Sequence, residues 1–404
     1  MKTTSATSEH TDARRRHDTA LLLLSFGGPE KEEDVVPFLE NVTRGRGIPR
    51  ERLKVVGQHY FALGGRSPIN DQNRRIIANI ETELQQRGWD LPVYFGNRNW
   101  EPYVEEAFVQ MARDGVEHVY VFATSAWGGY SGCRQYQEDI ARGLAAIQEA
   151  SEAEPGLRAP RVERLPGFHN HPDFIREFAA AVDRAGLAAV KGLGAPEADA
   201  GVREQCDLIF TAHSVPTRAD EQSGPEAWEG KLYSHQVLDA ARLVQSASIF
   251  STQRNEDVNL VWQSRSGSPH TPWLEPDVCD HIRARAAAGN TRPIVLCPIG
   301  FITDHIEVMW DLDTEAKNVA DEAGIPFTRV PTPGLGSAFA TMIVDLAAEC
   351  DQRRRDSAAI EPVRETAAAQ LTQPGLFCPA AGTCVPSLGH TFDGQPCAPG
   401  CCGA

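Results

Sequence analysis

The chain has 404 residues, with 39 Lys and Arg against 55 Asp and Glu, a formal charge of −16. That length suggests two domains, and 41% hydrophobic residues suffice to give each a core. The acid excess is wrong for a protein that coats nucleic acid, and no apolar run approaches the ~18 residues of a membrane span.

The first eighteen residues are polar and hold Arg14, Arg15 and Arg16 with no apolar stretch behind them. They read as a disordered N-terminal arm (1–18), not a signal peptide, which places the protein in the cytoplasm. Apolar runs of strand length then alternate with helical patterns. Ala20–Ser25, Leu91–Phe95, His118–Ala123, Asp207–Ala212, Asn259–Gln263 and Pro293–Pro298 lack polar alternation, as strands buried on both faces do. Asp71–Arg87 and Tyr103–Asp114 read as helices between them. This rhythm predicts an α/β fold with parallel sheets flanked by helices. Glu149–Pro160 reads as a joint and Leu187–Gly201 as a loop. The divisions expected are a first domain at 19–165, a second at 166–350 and an extension at 351–404.

In open α/β sheets ligands bind beyond the carboxyl ends of the strands. The residues there are Ser25–Pro29, Thr124–Tyr130, His213–Pro216, Ser264–Gly267 and Gly300–Glu307. None forms a phosphate-cradling glycine loop, which disfavours nucleotide cofactors. His213 follows a buried strand directly, either as a satisfied semi-buried imidazole or as a functional one. Asp304, Glu307, Asp311 and Glu315 are spaced 3, 4 and 4 apart. At ~100° per residue they share one helix face, with Asp313 opposite. Such a row is either a solvated helix side or a place for a divalent cation. An imidazole at one strand end and carboxylates at another would suit proton removal combined with metal delivery.

These residues lie in segments that resemble the ferrochelatases, which insert ferrous iron into a porphyrin. The segments are LLLLSFGGPE (21–30), FLENVTRGRG (38–47), HYFALGGRSPIN (59–70), VYFGNRNWEPYVEEA (93–107), FATSAWGGYSGCRQY (122–136), FTAHSVP (210–216), WQSRSGSPHTPWLEPDV (262–278) and PIGFITDHIEVMWDLDTEA (298–316). They run in family order, and NVTRGRG, FGNRNWEP and FATSAW look like the actinobacterial branch. The resemblance implies two Rossmann-like domains with the porphyrin between them, the final helix of the second free to pack back on the first. It implies Fe²⁺ and coproporphyrin III as substrates and coproheme as product.

By the same resemblance His213 and Glu307 contact the metal and the macrocycle nitrogens, one taking protons and the other delivering iron. Asp311 and Glu315 match the acidic line into the cleft, a metal relay on a partly π-type helix. Arg44, Arg46, Ser67 and Tyr136 match positions that receive the propionates, with Tyr60 in the same neighbourhood. Phe26 stands where some members have a Tyr that caps the iron. A phenyl ring cannot ligate, so Phe26 is expected to pack against the macrocycle. Trp127 and Trp310 face the ring or belong to the core.

Ten cysteines in a cytosolic chain argue for metal ligation or free thiols. Five of them, Cys378, Cys384, Cys397, Cys401 and Cys402, crowd into the last 27 positions in a pattern that lacks the paired spacing of a zinc ribbon. Several bacterial ferrochelatases carry a [2Fe–2S] cluster on such an extension, and DGQPC (393–397) resembles that tail. Where the mycobacterial type has a ligand in the enzyme body before a Gly-Pro, this chain has Ser223. The resemblance therefore implies Cys384, Cys397 and Cys402 as ligands, with Cys378 or Cys401 as the fourth; zinc and unliganded thiols are the alternatives. A monomer is expected, with product passed to a downstream coproheme decarboxylase. The competing readings are a tetrapyrrole carrier or sensor on the same scaffold, a protoporphyrin IX ferrochelatase, and a chelatase for cobalt or nickel.

Overall fold

A computed structural model describes residues 18–45, 47–191, 201–225, 229–252, 257–265, 270–359 and 401. The expected N-terminal arm up to residue 17 lies outside these residues, as do Arg46 and the tail cysteines other than Cys401. Eight strands form two four-stranded sheets. The first contains β1 (Thr19–Ser25), β2 (Val93–Asn97), β3 (His118–Ala123) and β4 (Arg161–Arg164); the second contains β5 (Asp207–His213), β6 (Leu260–Gln263), β7 (Ile294–Cys297) and β8 (Phe327–Arg329). Their orders are β2-β1-β3-β4 and β6-β5-β7-β8, and every pairing is parallel. The halves repeat one topology.

The run ALLLLS explains why β1 is central. Ala20 to Leu24 are fully buried, and successive side chains point to opposite faces. Leu21 and Leu23 enter an interior that also receives Leu208, Phe210, Val295 and Cys297 from the second sheet, while Ala20, Leu22 and Leu24 enter an outer core. Each such leucine contributes about 1.5–3 kcal/mol when fully buried. The second sheet has its own outer core, with Ile209, Ile294 and Leu296. One interior therefore serves both sheets, closed by the helices Ile69–Gln86, Pro172–Lys191 and Ser337–Ala359. The last of these returns to the first half: the Tyr120 hydroxyl of β3 donates to Asp351 at 2.9 Å, and Arg87 pairs with Asp345.

Two details differ from the sequence-based expectations. The helix Pro172–Lys191 runs through Leu187, which was expected to begin a loop; its apolar face continues onto the shared core at Ala185 and Val190. Strands β4 and β8, with sequences RVER and FTR, carry no apolar run and were not expected.

Between β1 and the helix Ile69–Gln86 lies a helical flap: α1 (Val35–Val42), α2 (Arg50–Val56) and α3 (Gln58–Ala62). Val35, Phe38, Leu39 and Leu53 form a small cluster of their own, joined by Tyr60, Phe61 and Trp100. Ile48, Val55 and Val56 stay exposed on it. Among the described residues no helix is long and apolar enough to cross a membrane.

Candidate functional site

In each sheet the chain turns in opposite directions on leaving the two central strands, which opens a crevice at their carboxyl ends. For the first sheet those ends are Ser25 of β1 and Ala123 of β3; for the second they are His213 of β5 and Cys297 of β7. The halves are fastened there. The indole N–H of Trp127 donates to the carbonyl of Gly300 at 2.8 Å, and the Gly128 N–H to Gln236 Oε1 at 2.6 Å. Trp127 is thus a buried bridge and part of the core. Gly300 lies so close to β5 that a Cβ would stand 2.6 Å from that of Ala212. Only glycine lets the chain after β7 lie against His213's strand.

His213 is held from both sides. Its Nδ1 faces the Ser214 carbonyl at 2.5 Å, and its own carbonyl accepts from the Tyr233 hydroxyl at 2.7 Å. Its Nε2 lies 3.6 Å from Glu307 Oε1, across from the turn that follows β7. The pair keeps 36% and 44% of its side-chain surface open, enough for a ligand to reach both. Burial pulls the imidazole pKa down, but Glu307, helped by the Ser214 carbonyl and Asp311, outweighs it and carries His213 up to about 8. Burial raises Glu307 in turn, and His213, His305 and His59 together bring it below its ordinary value. At neutral pH the pair therefore rests as imidazolium and carboxylate. Burial pulls the neighbouring imidazole of His305 below its ordinary pKa.

The acidic row is regrouped relative to the sequence-based expectation. The helix begins only at Ile306 and continues as a π-type turn over Met309–Ala316. Asp304 precedes it and is clasped by Arg329 of β8 at 2.9 Å, while the same guanidinium holds Asp313 at 2.6 Å. Glu307, Asp311 and Glu315 are left as the row. Asp311 accepts from the hydroxyl of Ser264 and from Gln263 Nε2 at 3.3 Å. Ser264 adopts φ = 62°, a left-handed conformation that costs a non-glycine residue about 1–2 kcal/mol. Burial, and then the nearby charge of Glu307, push Asp311 up to about 7 despite these donors. Glu315 accepts from the Trp310 indole at 2.9 Å.

The first sheet's end is different in kind. Phe26, 38% exposed, sits edge-on to Phe38. Arg98, just beyond β2, places its guanidinium 4.6 Å from the ring centre of Tyr136 and 5.9 Å from that of Phe26. It is held by the buried Asp139 at 2.7 Å and Gln135 at 3.0 Å, and its Nη2 has no protein partner. Sequence reasoning missed Arg98, although its place after a strand in FGNRNWEP was a signal. The Tyr136 hydroxyl lies 3.3 Å from Thr124 Oγ1, which bonds Ser25 at 3.1 Å. Ser67 is also buried, against Gly28, where a Cβ would come within 2.8 Å of the serine's own. Arg44 is exposed at the end of α1 and donates to Asn41 at 2.7 Å. Tyr60 packs in the flap cluster, its hydroxyl held protonated by burial and by Glu307. The structure therefore brings His213, Glu307 and Asp311 together, and Phe26, Tyr136 and Arg98 together.

Of the tail cysteines, Cys401 is seated on the second half. It is buried, and its Sγ accepts from the Gly224 N–H at 3.1 Å. Ser223 beside it turns its hydroxyl to the Asp220 carbonyl. Among the described residues no three His, Cys, Asp or Glu side chains group so as to hold a metal ion.

A family model described as ferrochelatase matches residues 18–350. The chain belongs to the ferrochelatase family. It is 50% identical over 383 residues to a protein of Nocardia farcinica named coproporphyrin III ferrochelatase, covering 95% of this chain and 96% of that one. A protein of the same name from Mycolicibacterium smegmatis is 48% identical, covering 95% and 98%. One from Streptomyces coelicolor is 50% identical over 332 residues, covering 82% and 84%. Within this ferrochelatase-family chain, the His213–Glu307 pair and the Phe26–Arg98–Tyr136 group both fall inside the matched segment.

Proposed function

We propose that the protein inserts Fe²⁺ into coproporphyrin III to give coproheme, releasing two protons, at the ends of the central strands. Family membership and the names of relatives near 50% identity support the reaction. The observation that carries the assignment of the site is the meeting of His213 and Glu307, from the two central crossings of one sheet, at 3.6 Å.

Insertion replaces two pyrrole N–H bonds by bonds to the metal, so two protons must leave near one point. His213 is protonated at rest and must shed its proton before it can accept one from the ring. Asp311, near its midpoint at neutral pH and close to Glu307, is placed to take it on. Glu307, an anion, offers oxygen to the incoming dication. A flat macrocycle shields its inner nitrogens, so contacts at its rim must supply the strain that exposes a lone pair. Phe26 and Tyr136, with Arg98 behind them, form the wall for that purpose.

Coproporphyrin carries four carboxylates, and the flap suits an anion. Residues 35–66 hold six basic side chains and two acidic ones, 6 − 2 = +4, in a chain of −16. Arg44 and Arg46, with Ser67, Tyr136 and Tyr60, are the proposed propionate contacts, of which Ser67 and Tyr136 are buried in the ligand-free protein. Opposite fields of this kind raise the encounter rate of a charged ligand. Anaerobic mixing of the protein with Fe²⁺ and either coproporphyrin III or protoporphyrin IX, followed by absorbance, tests this. Faster insertion into the tetracarboxylate is expected; equal or faster use of the dicarboxylate would overturn the choice of substrate.

In the same reading the divisions fall at 19–165, 166–350 and 351–404. The protein works as a cytoplasmic monomer that passes coproheme to a decarboxylase. The tail carries a [2Fe–2S] cluster on Cys384, Cys397 and Cys402, with Cys378 or Cys401 as the fourth ligand. Two observations support a tail site: the local density of cysteines, and the docking of Cys401 with an N–H directed at its sulfur. Iron insertion changes no oxidation state, so such a cluster would serve structure or sensing. Unchanged visible absorbance of the purified protein on Cys397→Ser would overturn it.

A further inference from the structure

Glu307 sits in the helical turn Ile306–Val308, and Asp311 in the π-type stretch Met309–Ala316 that continues it, a rare winding found mostly at functional sites. On the side facing β8 the support is Arg329, which grips Asp304 and Asp313 on either side of Glu307. On the other side stands Trp310, three residues after Glu307 and immediately before Asp311. Its indole N–H is fixed by Glu315 at 2.9 Å, and its face is covered by the imidazole of His59 from α3. The two rings are centred 4.1 Å apart and tilted by only 7°.

His59 belongs to the flap, whose core is separate from those of the two sheets. Its stack on Trp310 therefore joins a semi-independent element of the first half to the turn that presents the second half's carboxylates. The flap also holds the basic residues proposed to receive the substrate's rim. Contact between planar rings favours a fixed relative placement, so the stack couples the position of the flap to that of the turn.

We propose that His59 is a positioning residue of metal insertion: by stacking on Trp310 it fixes, from the opposite lip, the turn that presents Glu307 to His213. The proposal rests on the reading of His213 and Glu307 as the insertion site. His59 touches neither porphyrin nor metal in this role; beside its small charge effect on Glu307, it acts through the indole. An aromatic ring of similar size should replace it, whereas a small side chain should not.

The test compares His59→Ala, His59→Phe, Trp310→Ala and the double variant His59→Ala/Trp310→Ala in the full-length protein, with Trp310→Phe and His59→Ala/Trp310→Phe added for fluorescence. His59 is exposed, so its substitution opens no core cavity. For His59→Ala, kcat should fall about 10- to 100-fold, the range that a small misplacement of a reacting group produces. The KM for coproporphyrin should change less than kcat. His59→Phe should recover most of the loss, and the double variant should be no slower than the slower single one, because both remove the same contact. Tryptophan emission should change between wild type and His59→Ala but not between Trp310→Phe and His59→Ala/Trp310→Phe. Wild-type kcat in His59→Ala, no recovery in His59→Phe, or multiplying losses in the double variant would each overturn the proposal. His213→Ala and Glu307→Gln, assayed alongside, separate the two readings. If these keep full activity the site itself is misassigned; if they are inactive while His59→Ala is unaffected, only the stacking role fails.

Discussion

The two sheets share one strand order and one interior, yet their carboxyl ends are furnished for different work. The first ends in aromatic rings, hydroxyls and a buried guanidinium: Phe26, Tyr136, Thr124, Ser25 and Arg98. The second ends in groups that exchange protons or bind cations: His213, Glu307 and Asp311. On the proposed function, a repeated scaffold separates holding a ring from changing it. Such a division predicts that damage to the second end strikes turnover, and damage to the first strikes stability and affinity.

The largest expected effect is on chemistry. Either His213→Ala or Glu307→Gln should lower the rate of Fe²⁺ insertion by about 10²–10⁴-fold, the usual contribution of a positioned proton-transfer group. Porphyrin affinity, measured by fluorescence quenching, should stay within a few-fold of wild type. Loss of binding with unimpaired turnover of the bound fraction would reverse the assignment of the two ends. Asp139→Ala should act on stability. It strips Arg98, 9% exposed, of its buried partner and should cost about 3–5 kcal/mol in denaturant unfolding. A smaller effect is expected from Arg44→Ala or Arg52→Ala on the flap. The KM for coproporphyrin should rise a few-fold at low salt, and the difference should shrink at high salt as screening removes the field. A salt-independent change would point to a specific contact instead.

The division between the ends was only partly legible in sequence. The central strands were, because a strand buried on both faces must be an unbroken apolar run: ALLLLS, HVYVFA and DLIFTA. Position after such runs marked His213 and the acidic row that contains Glu307, and the resemblance to the ferrochelatases implied that these two form the pair. The edge strands β4 and β8 were not legible, since RVER and FTR need cover on fewer sides and carry charge. With β8 hidden, so was Arg329, and Asp304 was therefore counted among the carboxylates of the row when it is neutralised by that arginine. Arg98 was hidden for a related reason: its value depends on Asp139, 41 residues away, and on two rings from other elements. A stack such as His59 on Trp310, between residues some 250 positions apart, leaves no trace in local pattern.

The account depends most on the coupling of one imidazole to one carboxylate, and that coupling can be read without turnover. Nitrogen-15 NMR of labelled histidine, titrated in the ligand-free protein, reports the charge of His213 directly. Its midpoint should lie at about 8 in wild type, because Glu307 favours the protonated form. In Glu307→Gln that support is gone, burial is opposed only by the Ser214 carbonyl and Asp311, and the midpoint should fall from its wild-type position towards the ordinary histidine value of about 6.5. The same midpoint in both proteins would mean that the two side chains do not meet in solution, and would contradict the site as described.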